Sequence, residues 1–596
     1  MAHPTLLAFR AHERMLTSSH QTEKFMSRFS KESLSYVHGA SDVPLIGSTI
    51  GDFFDLIAAR FQESEALVCC HQRERYSYRE LQSAVNRCAR GLMACGLQKG
   101  DRVGIWAPNC AEWVVTQIAT AKIGAILVNV NPSYRVQELA YALRQSGCSG
   151  LIISSPFRTS DYPAMLREVC PELTTSEPGQ LSAAALPHLR TVITLGTEQV
   201  EGAYRWDQMM AKADELTLAE LAERQSDQSF DDPINIQYTS GTTGSPKGAT
   251  LSHHSLLNNG FFIGERMRLT EQDRYCIPVP FYHCAGMVVG NLACITHGAA
   301  IVVPAEVFDP RKTLEAVVAE RCTALLGVPT MFIAELGLAD LDQFDLSTLR
   351  TGCIGGSPCP IEVMKQLTTR MHMGEVTIVY GMTETSPVSF QSAVDDPLEK
   401  RVSTVGRVHP HVECKIIDPA TGETLPRGLP GELLSRGYLV MLGYWGNPEA
   451  TAQAIDAARW MHTGDLAVMR PDGYVNIVGR CKDLIIRGGE NIYPREIEEF
   501  LYTHAAIRDV QIIGVPDEKY GEAVMAWVIL KPGQLLAAEE LREYCRNRIA
   551  HYKVPRYIRF TDQFPMTVSG KIQKYKMREM AVQELGLSRA ASIRTA

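Results

Sequence analysis

No apolar run in this 596-residue chain reaches the roughly 18 residues that a membrane span needs. The longest candidate, from Trp113 to Val130, is interrupted by Gln117 and Lys122, so no transmembrane segment is predicted. Basic residues are not in excess: 59 Lys and Arg stand against 67 Asp and Glu, for a net charge of −8. That excludes the general electrostatic footprint of a nucleic-acid binder. The 16 cysteines contain no C-x-x-C pair, which argues against a zinc site or a disulfide framework and for a reducing compartment. His253-His254 and His409-Pro410-His411 lack Cys or carboxylate neighbours at ligand spacing. There is no G-x-S-x-G elbow of a serine hydrolase, no Walker A loop and no repeat of 20–50 residues. A hydrophobic signal-peptide core is also missing. The first 35 or so residues carry Arg10, Arg14, Lys24 and Arg28, but Glu13, Glu23 and Glu32 lie among them, and mitochondrial presequences are poor in acids. The segment therefore reads as the N-terminal arm of a cytoplasmic protein, with the mitochondrial matrix as the alternative.

What is present is an ordinary globular balance, 45% hydrophobic and 21% charged, with a repeating strand–helix pattern. Ser77-Tyr78-Arg79-Glu80 is a capping box that opens a helix. Arg102–Trp106 and Ala125–Val130 read as strands around a helix that Asn109 is placed to cap. Strand, helix, strand at this spacing predicts a parallel pair. Gly150–Ile153, Thr191–Thr194, Ala300–Val303 and Ala324–Leu326 continue the pattern, while Gln180–Gln228 is more polar and peripheral. Near Arg480 the character changes. A helix opening at Pro494, strands over Val510–Val515 and Ala523–Leu530, a helix over Glu539–Ile549 and a strand over Tyr557–Phe560 form a smaller α+β unit. The expected organisation is α/β: an arm over 1–44, a large body of parallel and mixed sheets flanked by helices over 45–480, and a small C-terminal lid over 481–596.

The densest chemical signal is Thr239-Ser240-Gly241-Thr242-Thr243-Gly244-Ser245-Pro246-Lys247, directly after the strand Ile234–Gln237. Small residues let backbone N–H groups approach phosphate oxygens, the hydroxyls add donors, and Lys247 supplies a point charge. A flexible surface loop shares this composition, but the ordered string after a strand points to a nucleotide. A second string, Tyr380-Gly381-Met382-Thr383-Glu384-Thr385, follows the strand Thr377–Val379. Ligands of parallel sheets bind at the carboxyl ends of strands. There Tyr380 can stack on adenine, Thr383 can bond a phosphate, and Glu384 can hold Mg²⁺. A core tyrosine beside a solvated turn fits the hexapeptide equally well.

Together these strings resemble the motifs of the acyl-adenylate-forming, or AMP-binding, superfamily, in order over roughly residues 45–580. By that resemblance, Gly355-Gly356-Ser357-Pro358 is the turn against adenine. Thr463-Gly464-Asp465 supplies the carboxylate for the ribose hydroxyls, a task suited to an acceptor-only group. Arg480 contacts the ribose and phosphate side, Lys482 falls at the hinge, and Gly488-Gly489 shapes the slot for the pantetheine arm. Lys571, in Pro565–Lys571, bridges the incoming carboxylate and the α-phosphate. His283, in Pro280–Gly286, falls at the position lining the acyl pocket and thiol tunnel; a simply packed histidine is the alternative. Leu34–Gly39, Gly248–His253, Met441-Leu442-Gly443-Tyr444-Trp445-Gly446 and Gly488–Pro494 resemble strings of the medium-chain fatty-acyl-CoA synthetases and their bacterial relatives. The resemblance implies a carboxylate–CoA ligase using ATP, Mg²⁺ and coenzyme A through an acyl-AMP intermediate, as a monomer or homo-oligomer. Its acid would lie among Phe281–Asn291, Leu325–Ile333 and Val379–Phe390, mostly apolar segments that favour an aliphatic chain. An enzyme that passes acyl-AMP to a separate carrier protein shares the adenylation motifs, though the stretch after Lys571 is too short for a fused carrier. A non-catalytic sensor of acyl or nucleotide ligands is the remaining alternative.

Overall fold

The computed structural model describes residues 33–239, 246–357, 359–487, 490–546, 548–566 and 572–587. Among them the chain forms four sheets flanked by helices, a mixed α/β architecture. The first runs in the order Gly443–Tyr444, Lys247–Ser252, Pro233–Thr239, Ile126–Asn129, Arg102–Trp106, Gly150–Ile153, Thr191–Thr194, Tyr204–Arg205. Its centre is parallel, as the strand–helix–strand spacing predicts. The second sheet carries Thr351–Gly355 beside Glu375–Gly381, parallel, and then Val388–Gln391, antiparallel. The third joins Tyr36–His38, Val412–Ile417, Gly431–Gly437, Met461–Met469 and Val475–Arg480, all antiparallel. The fourth lies wholly within residues 485–560: Ile485–Arg487, Glu490–Ile492, Ile507–Asp517, Gly521–Leu530 and Tyr557–Phe560.

Helix Ala111–Ile123 is buried on every side except at Glu112. The two residues that interrupt its apolar run are buried but satisfied. Lys122 Nζ donates to Asp55 Oδ1 at 2.7 Å and Asn86 Oδ1 at 2.6 Å, and Gln117 Nε2 donates to Met287 O at 3.2 Å. Buried polar groups persist only when so paired. No helix among the described residues is long and apolar enough to cross a membrane.

One local expectation is corrected. Asn109 does not cap this helix, whose N-cap is Cys110. Its amide instead donates to Val279 O at 2.9 Å and accepts from Phe281 N at 2.8 Å, because a buried amide with both functions can staple a loop. After the glycine-rich loop comes strand Lys247–Ser252, and Ser252 caps helix His253–Met267. Phe281–Asn291, read only as pocket lining, forms a π-helical segment over Ala285–Leu292, a wide turn often found at functional sites.

Candidate active site

Thr239 and Lys247 are register partners at the facing ends of antiparallel strands Pro233–Thr239 and Lys247–Ser252. Pro246 O accepts the Tyr141 hydroxyl at 2.9 Å; Ser240, Gly241, Thr242, Thr243, Gly244 and Ser245 lie outside the described residues. From the second sheet, the turn Thr383–Thr385 brings in a buried Glu384 and a half-buried Thr383. Glu384 Oε1 accepts from Thr239 Oγ1 at 3.3 Å and from the Tyr444 hydroxyl at 2.8 Å. Lys247 Nζ stands 5.2 Å from the centre of the Tyr444 ring, inside cation–π range. One sheet thus supplies the cation, the neighbouring sheet the carboxylate, and Tyr444 lies between them.

A second cluster begins four residues earlier in the chain. The Tyr380 hydroxyl donates to Asp465 Oδ2 at 2.6 Å, and Arg480 Nε reaches Asp465 Oδ1 at 2.9 Å. Asp465 and Arg480 are cross-strand partners of Met461–Met469 and Val475–Arg480, which explains why residues 15 positions apart meet. The Asp465 carboxylate is nearly enclosed, at 9% side-chain exposure, while Arg480 is 63% exposed, so the pair faces outward through the cation. Burial, then Asp465 itself, holds the Tyr380 phenol well above its ordinary pKa. It stays a donor at any working pH. The sequence assigned Tyr380 to stacking; its hydroxyl also fixes the carboxylate.

Gly355 packs so closely on Val379 that a Cβ would meet Val379 O at 2.8 Å, and Gly356 takes φ +82°. That left-handed backbone suits glycine, and Gly356 and Ser357 are both exposed. Pro358 lies outside the described residues. His283 is half-buried in the turn before the π-helical segment, and its Nδ1 accepts from Ala285 N at 3.3 Å. Lys482 is exposed in the turn after Arg480, where Asp483 N and Leu484 N both donate to Arg480 O at 3.0 Å. Gly488, Gly489 and Lys571 lie outside the described residues.

Among the described residues no three His, Cys, Asp or Glu cluster as a metal cage. Mg²⁺ rarely uses one; a single carboxylate with substrate phosphates and water is its common arrangement. Glu384, hydrogen-bonded through Oε1 and close to Thr239 and Lys247, fits that role. The two clusters together provide a cation and hydroxyl for phosphate, a carboxylate for a divalent ion, and a carboxylate–guanidinium pair for a sugar diol. Tyr444 went unassigned in the sequence. Its signal was the Met441–Gly446 string, whose aromatic residues alone do not say what they touch.

The pattern of the AMP-binding enzyme family matches residues 54–445, and that of the AMP-binding enzyme C-terminal domain matches residues 496–571. The putative acyl-CoA synthetase YngI of Bacillus subtilis is 51% identical over 91% of this chain and 99% of its own. The mitochondrial medium-chain acyl-CoA ligase ACSF2 of Mus musculus is 44% identical over 93% of this chain and 91% of its own. Among solved structures, ATP-bound MatB of Rhodopseudomonas palustris superposes with TM-score 0.77 at 29% identity, covering 89% of this chain and 99% of its own. With both clusters assembled from the motif strings and these patterns matching most of its length, the chain belongs to the AMP-binding enzyme family.

Proposed function

We propose that this protein is an ATP-dependent fatty carboxylate–CoA ligase, acting through acyl-AMP on chains of medium length. The observation that carries the reading is the gathering of Thr239, Lys247 and Glu384 around Tyr444, beside the Tyr380–Asp465–Arg480 cluster. In the first step the acid's carboxylate attacks the α-phosphorus of ATP in line, and pyrophosphate leaves. Phosphoryl centres need positioning and charge stabilisation more than covalent help. Asp465 accepts from the ribose hydroxyls, and Arg480 lies along the ribose and phosphate. Lys247, the hydroxyl-rich loop and Thr383 engage the phosphates, and Lys571 bridges carboxylate and α-phosphate. Mg²⁺ bound at Glu384 would neutralise phosphate charge. In the second step the C-terminal unit, residues 481–596, turns about Lys482. Lys571 then leaves and Gly488-Gly489 enters to shape the pantetheine slot, with His283 beside the thiol path. The CoA thiolate attacks the acyl carbonyl and AMP departs.

Medium chain length is supported by the likeness to the mitochondrial medium-chain acyl-CoA ligase, and an aliphatic acid by the apolar, buried side chains of Phe281, Met287, Val288 and Val289. All sixteen cysteines are free, which supports a reducing compartment, the cytoplasm or the mitochondrial matrix. The test is CoA-dependent AMP release across straight-chain acids of rising length. A maximum at medium length is expected. Pyrophosphate release that free CoA fails to follow would instead indicate transfer to a carrier protein, and no pyrophosphate release with any acid would indicate a sensor.

A further inference from the structure

Tyr444 stands between the two opposite charges of the phosphate site, and its placement comes from the backbone. It lies on the short edge strand Gly443–Tyr444, in register with Ala249 two residues beyond Lys247. Its N–H donates to Thr451 Oγ1 at 2.9 Å. The next residue, Trp445, donates its N–H to Gly248 O at 2.8 Å and accepts from Gln145 Nε2 at 2.6 Å. Gln145 in turn accepts the Tyr238 hydroxyl at 2.7 Å. Tyr444 is thus clamped from the strand that leaves the glycine-rich loop and from two helices. Glu384 is different: it sits on a three-residue turn, at the end of a side chain with three rotatable bonds. Among the described residues both hydroxyl donors to its carboxylate reach Oε1.

We propose that Tyr444 is the positioning residue of the phosphate site: its hydroxyl orients the Glu384 carboxylate for a divalent cation, and its ring face seats the Lys247 ammonium. One side chain then sets the spacing of the two charges that a polyphosphate meets. The proposal rests on the ligase reading above but is separable from it, because it concerns binding before any bond is made.

The test uses the full chain, with Mn²⁺ as a paramagnetic probe for the divalent site. Tyr444→Phe keeps the ring and removes the hydroxyl. Mn²⁺ affinity of the enzyme–ATP complex, read by electron paramagnetic resonance, is expected to fall about tenfold, the scale of one hydrogen bond to a charged group. Affinity for metal-free ATP, read by calorimetry, is expected to stay unchanged, which also shows that the variant folds. Tyr444→Leu removes the ring as well and is expected to lose metal-free ATP affinity a few-fold, the scale of a cation–π contact. On a Glu384→Gln background the further Mn²⁺ loss from Tyr444→Phe should vanish, since coupled residues are non-additive. The proposal is overturned if Tyr444→Phe binds Mn²⁺ like the unsubstituted protein, if it loses metal-free ATP affinity as Tyr444→Leu does, or if its Mn²⁺ loss persists beside Glu384→Gln. Failure of the ligase reading is a different result: the unsubstituted protein releases no pyrophosphate with any acid, while these titrations proceed.

Discussion

At Asp465 both carboxylate oxygens already carry a donor, Tyr380 on Oδ2 and Arg480 on Oδ1. A carboxylate has about four lone-pair sites, so a ribose diol can add to these bonds without displacing them. Asp465→Ala strips the Tyr380 hydroxyl and Arg480 of their shared partner. It is expected to weaken ATP binding by about 1.5–3 kcal/mol, the range for a hydrogen bond to a charged group; calorimetry that shows unchanged affinity would remove Asp465 from the nucleotide site. His253 makes a prediction of another kind. It is fully buried, its Nδ1 accepts from Ile50 N at 3.1 Å, and burial lowers its pKa from 6.5 to about 4 despite Asp232 and Asp52 nearby. Above pH 6.5 neither folded nor unfolded chain protonates it. Below that value the unfolded chain takes up a proton that the folded chain refuses, so stability falls with pH until about 4, by roughly 1.4 kcal/mol per pH unit. His253→Gln should flatten that branch in urea titrations run at a series of pH values; an unchanged slope would mean the histidine is not buried neutral. Residue types and motif strings made Asp465, Arg480, Glu384 and Lys247 legible in the sequence. Their pairings were not, because register between Met461–Met469 and Val475–Arg480 depends on a bulge between Leu466 and Ala467 that no local pattern encodes.

Elements were legible where periodicity is clean. The parallel strands near residues 102–194 and the capping box at Ser77 stand where the pattern places them. The antiparallel sheet that carries Asp465 was unread, since Thr463-Gly464-Asp465 interrupts the apolar alternation of its strand and draws attention as a motif instead. Glycine has a structural task at the same scale. Gly381 lies between Tyr380 and the Thr383–Thr385 turn, and a Cβ there would stand 1.8 Å from Pro387 O. Gly381→Ala must therefore push strand Glu375–Gly381 away from Val388–Gln391. The expected cost is about 1–3 kcal/mol, typical of overpacking, seen as a lower urea midpoint. Because the displaced backbone leads to Glu384, ATP–pyrophosphate exchange should fall more than thioester formation from supplied acyl-AMP. Equal loss in the two assays would mean that the alanine damages the fold without moving the turn.

Across the whole molecule, apolar packing divides where the chain passes residue 480. The largest cluster runs from Ile50 to Val475, while the two clusters on the faces of the last sheet draw only on residues from Ile485 onward. Cys481–Leu484 joins them, tied by Cys481 N to Gly464 O at 2.9 Å and by two bonds to Arg480 O. A rotation there would break these backbone hydrogen bonds and the packing of helix Pro494–Tyr502 on strand Val475–Arg480 while sparing each core, as a hinge requires. If the two half-reactions need two orientations, substitutions at the joint and on the lid must separate them. Lys482→Pro fixes φ at its own position and drives Cys481 toward extended backbone. ATP–pyrophosphate exchange should stay within a few-fold, while thioester formation from supplied acyl-AMP falls at least tenfold, about 1.4 kcal/mol in barrier. Lys571→Ala should do the opposite, abolishing exchange and sparing the thioester step. Such reciprocal losses cannot come from general destabilisation, which lowers both assays together. A parallel loss in both variants would place the two steps in one orientation and remove the hinge from the mechanism.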